Sequence, residues 1–199
     1  DKTGQDNYPL NIYADPEAYK WADGSAWHNY GGSVTELNEI YAANPEKKIY
    51  FTEASIGEWI GGWENRWDFN FLSNCLVNDF SSIFMGTLSR GGSGVTLWNL
   101  MLDDKRGPYS RHDGSCKTCY GGVTINSADY KTIVKNSHWF NVAHASSVVK
   151  PGARMMETSG FKFPSGFECL MFLNKDGSIG VLIGNSRADA QQVAFVNDE

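Results

Sequence analysis

Nowhere in the 199 residues does an apolar run approach the roughly 20 needed to cross a bilayer. The longest apolar helical stretch, residues 70–89, is interrupted by Asn, Ser and Asp. No basic cluster is present and the formal net charge is −6. That argues against nucleic acid as a partner, because phosphate contacts need Lys and Arg patches. An initiator methionine is missing: the chain opens Asp1-Lys-Thr-Gly-Gln-Asp6 and stops just after a strand-like run, which reads as a piece of a longer or processed chain. Cysteine is scarce, with Cys75, Cys116, Cys119 and Cys169 only. Cys75 and Cys169 sit in apolar runs and read as buried small hydrophobes. Cys116-Lys-Thr-Cys119 is a lone C-x-x-C. Zinc would want a second ligand pair, and a thioredoxin-like motif would want a strand before it and a helix after it. A loop-stapling disulfide is therefore the first reading, two free thiols the second and a metal the third. A disulfide would imply an oxidising, secreted, periplasmic or lysosomal setting. Also missing is a glycine-rich turn directly after a strand. Gly91-Gly-Ser-Gly94 precedes one, so a doubly wound nucleotide fold is disfavoured.

The composition present is that of a folded globular chain, 41% hydrophobic and 20% charged. Three strand–loop–helix units are predicted in order. Ser25–Tyr30 is a strand, followed by Ser33-Val-Thr-Glu36, a capping box that opens a helix with Leu37, Ile40 and Tyr41 on one stripe; Asn44-Pro45 ends it. Ile49–Thr52 is the second strand. Its helix covers residues 70–89, where Phe71, Leu72, Cys75, Leu76, Phe80, Ile83, Phe84 and Leu88 recur at three- and four-residue steps. Gly94–Met101 is the third strand. A long loop at 102–135 precedes the third helix, residues 137–150, with Trp139, Phe140, Val142, Ala143 and Val148 as its apolar residues. From Ala153 onward the pattern changes to antiparallel strands: Phe167–Leu173, a turn at Asn174-Lys-Asp-Gly177, Ile179–Ile183, and a further strand at Gln191–Val196. Near-continuous apolar strands alternating with helices imply a parallel sheet buried on both faces. An α/β class follows, with strand tips that suit the functional face of a (β/α)₈ barrel. Such a barrel takes about 250 residues, so this chain can hold less than half of one. Residues 1–152 are assigned to the barrel part and 153–199 to part of a β-sandwich.

Glu53 leaves the tip of the second strand. His28 and Tyr30 end the strand before it, and Trp98 and Asn99 end the strand after it. If the strands are adjacent and parallel, all five converge on one mouth. Aromatic rings beside a carboxylate suit a sugar: an indole packs on the C–H face of a pyranose and polar groups meet its hydroxyls. Glu58-Trp59-Ile-Gly-Gly-Trp63-Glu-Asn-Arg-Trp67 adds three tryptophans after the carboxylate. Trp59 and Trp63 are taken as further sugar contacts, with at least one of the three expected to pack against the rim. Glycoside hydrolysis usually uses two carboxylates. Glu53 fits the nucleophile, since a strand holds it and a Tyr or His can keep it ionised. Glu58 and Glu64 in the loop, and Asp103 and Asp104 after the third strand, offer no rigid partner. A non-catalytic carbohydrate-binding protein is the alternative, and a protein-binding tryptophan patch is a third reading.

Four motifs carry a family resemblance: Ala26-Trp-His-Asn-Tyr-Gly-Gly32; Tyr50-Phe-Thr-Glu-Ala-Ser55; Leu97-Trp-Asn-Leu-Met-Leu-Asp103 with Gly107-Pro108; and His144-Ala-Ser-Ser-Val-Val-Lys-Pro-Gly-Ala153. In order and spacing they resemble glycoside hydrolase family 30, which includes glucosylceramidases and endo-β-1,6-glucanases. The resemblance implies a (β/α)₈ barrel with a side β-sandwich, a retaining double displacement on β-glucosides and no cofactor. It implies that Glu53 is the nucleophile at the end of strand seven, that Trp98 lines the sugar site at strand eight, and that His28 and Tyr30 belong to strand six. The family's acid/base Glu lies in an Asn-Glu-Pro motif after strand four. No such motif occurs here, so the chain reads as the C-terminal part, strands six to eight, without the N-terminal half of the barrel and with little or no activity alone.

Overall fold

The computed structural model describes residues 7–112, 114–157 and 163–196. Two short helices, α1 (Tyr8–Ala14) and α2 (Pro16–Trp21), lead to strand β1 (Gly24–His28). The predicted capping box forms. Ser33 Oγ accepts from the Thr35 amide and Glu36 accepts from the Ser33 amide, which starts a 3₁₀ turn that runs into α3 (Leu37–Ala43). β2 (Lys48–Glu53) follows, then the short β3 (Ile56–Gly57) and helix α4 (Phe69–Asp79), whose N-terminus is capped by Asp68. α4 continues through a π-helical turn, Phe80–Met85, into α5 (Gly86–Leu88). The widened turn buries Phe80, Ile83, Phe84 and Met85 together.

β4 (Gly92–Val95) completes a parallel sheet in the order β1-β2-β4. Gly24–Trp27 align with Lys48–Phe51, and after a shift His28 aligns with Glu53. The expected third strand, Gly94–Met101, is not continuous. Its first part is β4, and the chain stays beside β2 only as far as Trp98, whose amide donates to Ala54 O at 2.8 Å. It then pairs elsewhere: β5 (Met101–Asp103) forms a small sheet with β7 (Val123–Ile125) and β8 (Ile133–Lys135), while β6 (Cys119–Tyr120) pairs with β3. The region predicted as a long loop thus contains four strands of two or three residues, each too short to show an alternating pattern.

α6 (Ser137–Val148) corresponds to the third predicted helix, but the apolar stripe expected for it is not what it buries. Its buried residues are Ser137, His138 and Asn141, one helical turn apart on the side facing α4. His138 Nε2 lies 3.3 Å from Asp79 Oδ2, which gives this polar face its partner. β9 (Arg154–Met155), β10 (Phe167–Leu173) and β11 (Ile179–Asn185) form an antiparallel sheet in which β10 is central. The predicted Asn174–Gly177 turn joins β10 to β11, with Gly177 at a positive φ of 83°. The strand expected at 191–196 does not form. β9 takes the place beside β10, and Val193, Phe195 and Val196 are exposed with nothing to cover.

One apolar cluster ties these layers together. Phe51 and Ala54 from the β2 segment, Phe80, Ile83, Phe84 and Met85 from the π turn, and Phe172 and Leu182 from the hairpin are mutually packed. A second cluster, Tyr13, Trp27, Leu37, Ile40 and Ile49, seals the outer face of β1 and β2 with α3. Asn174 adds a polar tie: its Nδ2 donates to Val148 O at 2.9 Å and its Oδ1 accepts from Lys150 N at 2.9 Å. Cys75 and Cys169, predicted as buried, are half-buried thiols, and burial pushes both above their ordinary value. Ile83 sits at the centre of the main cluster and is 1% exposed. Ile83→Ala is expected to destabilise the fold by about 2–5 kcal/mol, read as a lower urea midpoint at an unchanged m-value.

Candidate active site

The parallel register brings the strand ends into one place. Tyr30 lies just beyond β1, Glu53 ends β2, and Ser55 forms a parallel bridge with Trp98 in the segment after β4. Tyr30 Oη donates to Glu53 Oε1 at 2.9 Å. The phenol has one proton, so the Ser55 hydroxyl, 3.3 Å away, is left to donate to the Tyr30 oxygen. Partial burial, together with the hydrogen bond and charge of Glu53, pushes the Tyr30 phenol above its usual value, while Ser55 pulls it back. Tyr30 therefore remains a neutral donor to a carboxylate across the whole neutral range.

Tyr30, Glu53, Ser55, Trp98 and Asn99 form the strand-end part of the lining of a cleft of about 840 Å³. The loop part of its lining includes Trp59, Pro108, Tyr109, Ser110, Gly114, Ser115 and the disulfide formed by Cys116 and Cys119. Trp59 and Trp98 are 54% and 47% exposed, so their indole faces are open. Glu53 is the only carboxylate among the described residues that line this cleft. A second cleft of about 410 Å³ lies between α4, α6 and β11 and has no carboxylate in its described lining.

Five of the expected residues meet here: Glu53, Tyr30, Trp98, Asn99 and Trp59. His28 is exposed but lies outside the described lining of this cleft. Its ring packs edge-on against Tyr30 at 5.6 Å and its Nε2 lies 3.1 Å from Thr52 Oγ1, so it braces the tyrosine rather than facing the cleft. Trp63 does not reach the cleft at all. It is 5% exposed and packs with Ile56, Phe71 and Tyr120, because the 3₁₀ turn at Trp63–Asn65 directs it inward. Trp67 takes another course, with the Arg66 guanidinium 5.1 Å from its ring. Glu58, weighed as a partner acid, is held by Arg106. Asp103 accepts from the amides of Lys105 and Gly107, which shapes a turn. Asp104 accepts from Ser127 N, and that contact holds its carboxyl below the usual range.

Of the loop residues in this lining, Trp59 alone is assigned to the site from sequence; residues 108–119 are not. The available signal was Gly107-Pro108-Tyr109 followed by C-x-x-C, a stapled loop directly after a strand whose tip carries candidate residues. The staple forms as its first reading expected.

No family model matches the chain. Among curated proteins it is 30% identical over 188 residues to the endo-1,6-β-D-glucanase neg1 of Aspergillus fumigatus, covering 90% of this chain and 34% of that protein. It is 27% identical over 188 residues to the putative glucosylceramidase 4 of Caenorhabditis elegans, covering 90% and 33%. Among solved structures, the endo-β1,6-glucanase BT3312 superposes with a TM-score of 0.83 at 45% identity, covering 93% of this chain and 39% of that one. Over about 90% of its length the chain is similar to endo-1,6-β-glucanases and putative glucosylceramidases. These relatives are named as glycoside hydrolases, in agreement with the resemblance read from the four motifs. The chain spans about a third of the length of the curated relatives it matches, and the solved glucanase shows it as a partial domain of that fold. None of its described helices is long and apolar enough to cross a membrane.

The Tyr30–Glu53 contact has a titration signature. With Cζ-labelled tyrosine, the NMR midpoint of Tyr30 is expected above the ordinary value near 10, and in Glu53→Gln it should fall back toward it. A folded value above the unfolded one means that the stability carried by this contact is full below pH 10 and is lost as pH rises through the folded value. An unchanged Tyr30 midpoint in Glu53→Gln would contradict a contribution from the Glu53 charge.

Proposed function

We propose that the chain carries the strand-end half of the active site of a retaining β-glycosidase that acts on β-glucosides, β-1,6-glucan or glucosylceramide, with Glu53 as nucleophile. The observation that carries this reading is Glu53 at the end of β2, accepting from Tyr30 within a cleft bordered by Trp98 and Trp59. In the first displacement a Glu53 oxygen bonds to the anomeric carbon and the glycosidic C–O bond breaks, its electron pair leaving with the aglycone oxygen, which takes up a proton. In the second, water attacks the same carbon, gives up its proton, and the ester to Glu53 breaks. The Tyr30 hydrogen bond aims the carboxylate before the first step, Trp98 offers an apolar face to the sugar ring, and Asn99 faces its hydroxyls.

The proton donor in this scheme is a Glu on sequence beyond these 199 residues, after strand four of a (β/α)₈ barrel. Residues 1–152 supply strands six to eight and residues 153–199 part of the side β-sandwich. Without that acid, hydrolysis of unactivated glucosides should be slower by about 10²–10⁴-fold. The disulfide fits a secreted protein in an oxidising compartment.

A second reading, a carbohydrate-binding protein without chemistry, is favoured by the single carboxylate among the described cleft residues. A 2-deoxy-2-fluoro-β-glucoside with a dinitrophenolate leaving group separates the two, because it needs little help from an acid. The expected result is a covalent fluoroglucosyl adduct on the peptide that contains Glu53, absent in Glu53→Gln. Sugar binding with no adduct at any concentration would reject the nucleophile and favour the binding protein.

A further inference from the structure

We propose that the Cys116–Cys119 disulfide is a positioning element for Trp59, and that through it the affinity for β-linked oligosaccharides depends on the redox state of the chain. The inference rests on the reading of the cleft as a β-glucoside site and assigns the loop part of its lining to sugar units beyond the one held at Glu53.

Trp59 sits on a loop, where an indole would ordinarily sample several positions. Here its seat is built. The ring lies directly over Gly57: a methyl group at that position would overlap both the Trp59 ring and the Thr118 carbonyl oxygen. Gly57 pairs with Cys119, and the Glu58 amide donates to Thr118 O at 3.1 Å. Arg106 bridges the two segments, donating from Nη1 to Glu58 Oε1 and from Nε to Lys117 O at 3.0 Å. Both carbonyls that receive these bonds, Lys117 and Thr118, lie between the two cysteines. The disulfide closes that four-residue loop and fixes the direction in which they point.

Both cysteines line the same cleft as Trp59 and Glu53. A cleft of about 840 Å³ lies in the upper part of the range for small-molecule sites and is larger than one hexose ring requires. Trp59 and Tyr109, both in the lining of this cleft, are half-exposed and suit the apolar face of a second sugar. Reduction of the disulfide adds two electrons and two protons, one to each sulfur. It frees the 116–119 loop, so the contacts that hold Trp59 over Gly57 lose their fixed geometry.

Calorimetric titration of the chain with methyl β-D-glucoside and with gentiotriose, a β-1,6-linked glucose trimer, tests this directly. After reduction with a phosphine the affinity for gentiotriose should fall about tenfold, while that for methyl β-glucoside changes less than twofold; reoxidation should restore it. Gly57→Ala should give the same split, and Trp59→Ala should lose the trimer preference in either redox state. A thermal melt of each sample reports any general loss of fold. Equal gentiotriose affinity in oxidised, reduced and Gly57→Ala chains would overturn the positioning role and leave the glucoside site standing. Failure of both sugars to bind in any state would overturn the inference together with the reading of the cleft.

Discussion

Parallel pairing of β1, β2 and β4 is the constraint from which the candidate site follows. In a parallel sheet every strand ends at the same edge, so residues far apart in sequence emerge side by side. Tyr30, Glu53 and Trp98 are separated by more than twenty residues each, yet the ladder aligns His28 with Glu53 and Ser55 with Trp98. The two apolar clusters pack against this ladder on the face that carries Ile49 and Phe51 and help to keep it in register. Phe51 and Ile49 alternate with Tyr50 along β2 and anchor the strand to separate clusters. A carboxylate at the end of such a strand has little freedom to move, which is what a group that must meet one carbon atom requires.

The lining of the site has two parts of different construction. The strand-end part is rigid because the sheet is. The loop part has only strands of two and three residues, and its order comes from tertiary devices instead: a disulfide, an arginine that holds two segments, and a glycine that accepts an indole on its surface. This division fits the proposed function, in which bond breaking demands fixed geometry and flanking sugars need a broader surface.

How much of this was readable in the sequence depended on the range of the interaction. β1, β2 and the β10–β11 hairpin were legible because apolar pattern and turn chemistry are local. So was Glu53, because a strand tip that ends in a carboxylate is visible in five residues. The fate of Trp63 was not: nothing in Trp-Glu-Asn-Arg-Trp says which indole turns inward, and Phe71 and Tyr120, which receive it, are fixed by tertiary contact. The polar face of α6 was misjudged for a similar reason. His138 and Asn141 count as outward residues until Asp79 is known to lie opposite. The strand expected at 191–196 failed because alternation alone does not supply a partner; β9 pairs with the Phe172–Leu173 end of β10 instead.

Asn174 shows one more kind of dependence. A helix ordinarily advertises its stop within its own sequence, by a glycine or a proline. Here the last carbonyl of α6 and the amide two residues beyond it are both met by a single side chain from a hairpin turn 26 residues downstream of Val148. The end of this helix is therefore marked twice, locally by Pro151-Gly152 and across space by Asn174. Insertions in the connection between α6 and β10 would leave the helix end where it is, whereas a shift of the hairpin by one residue would remove the second of these marks.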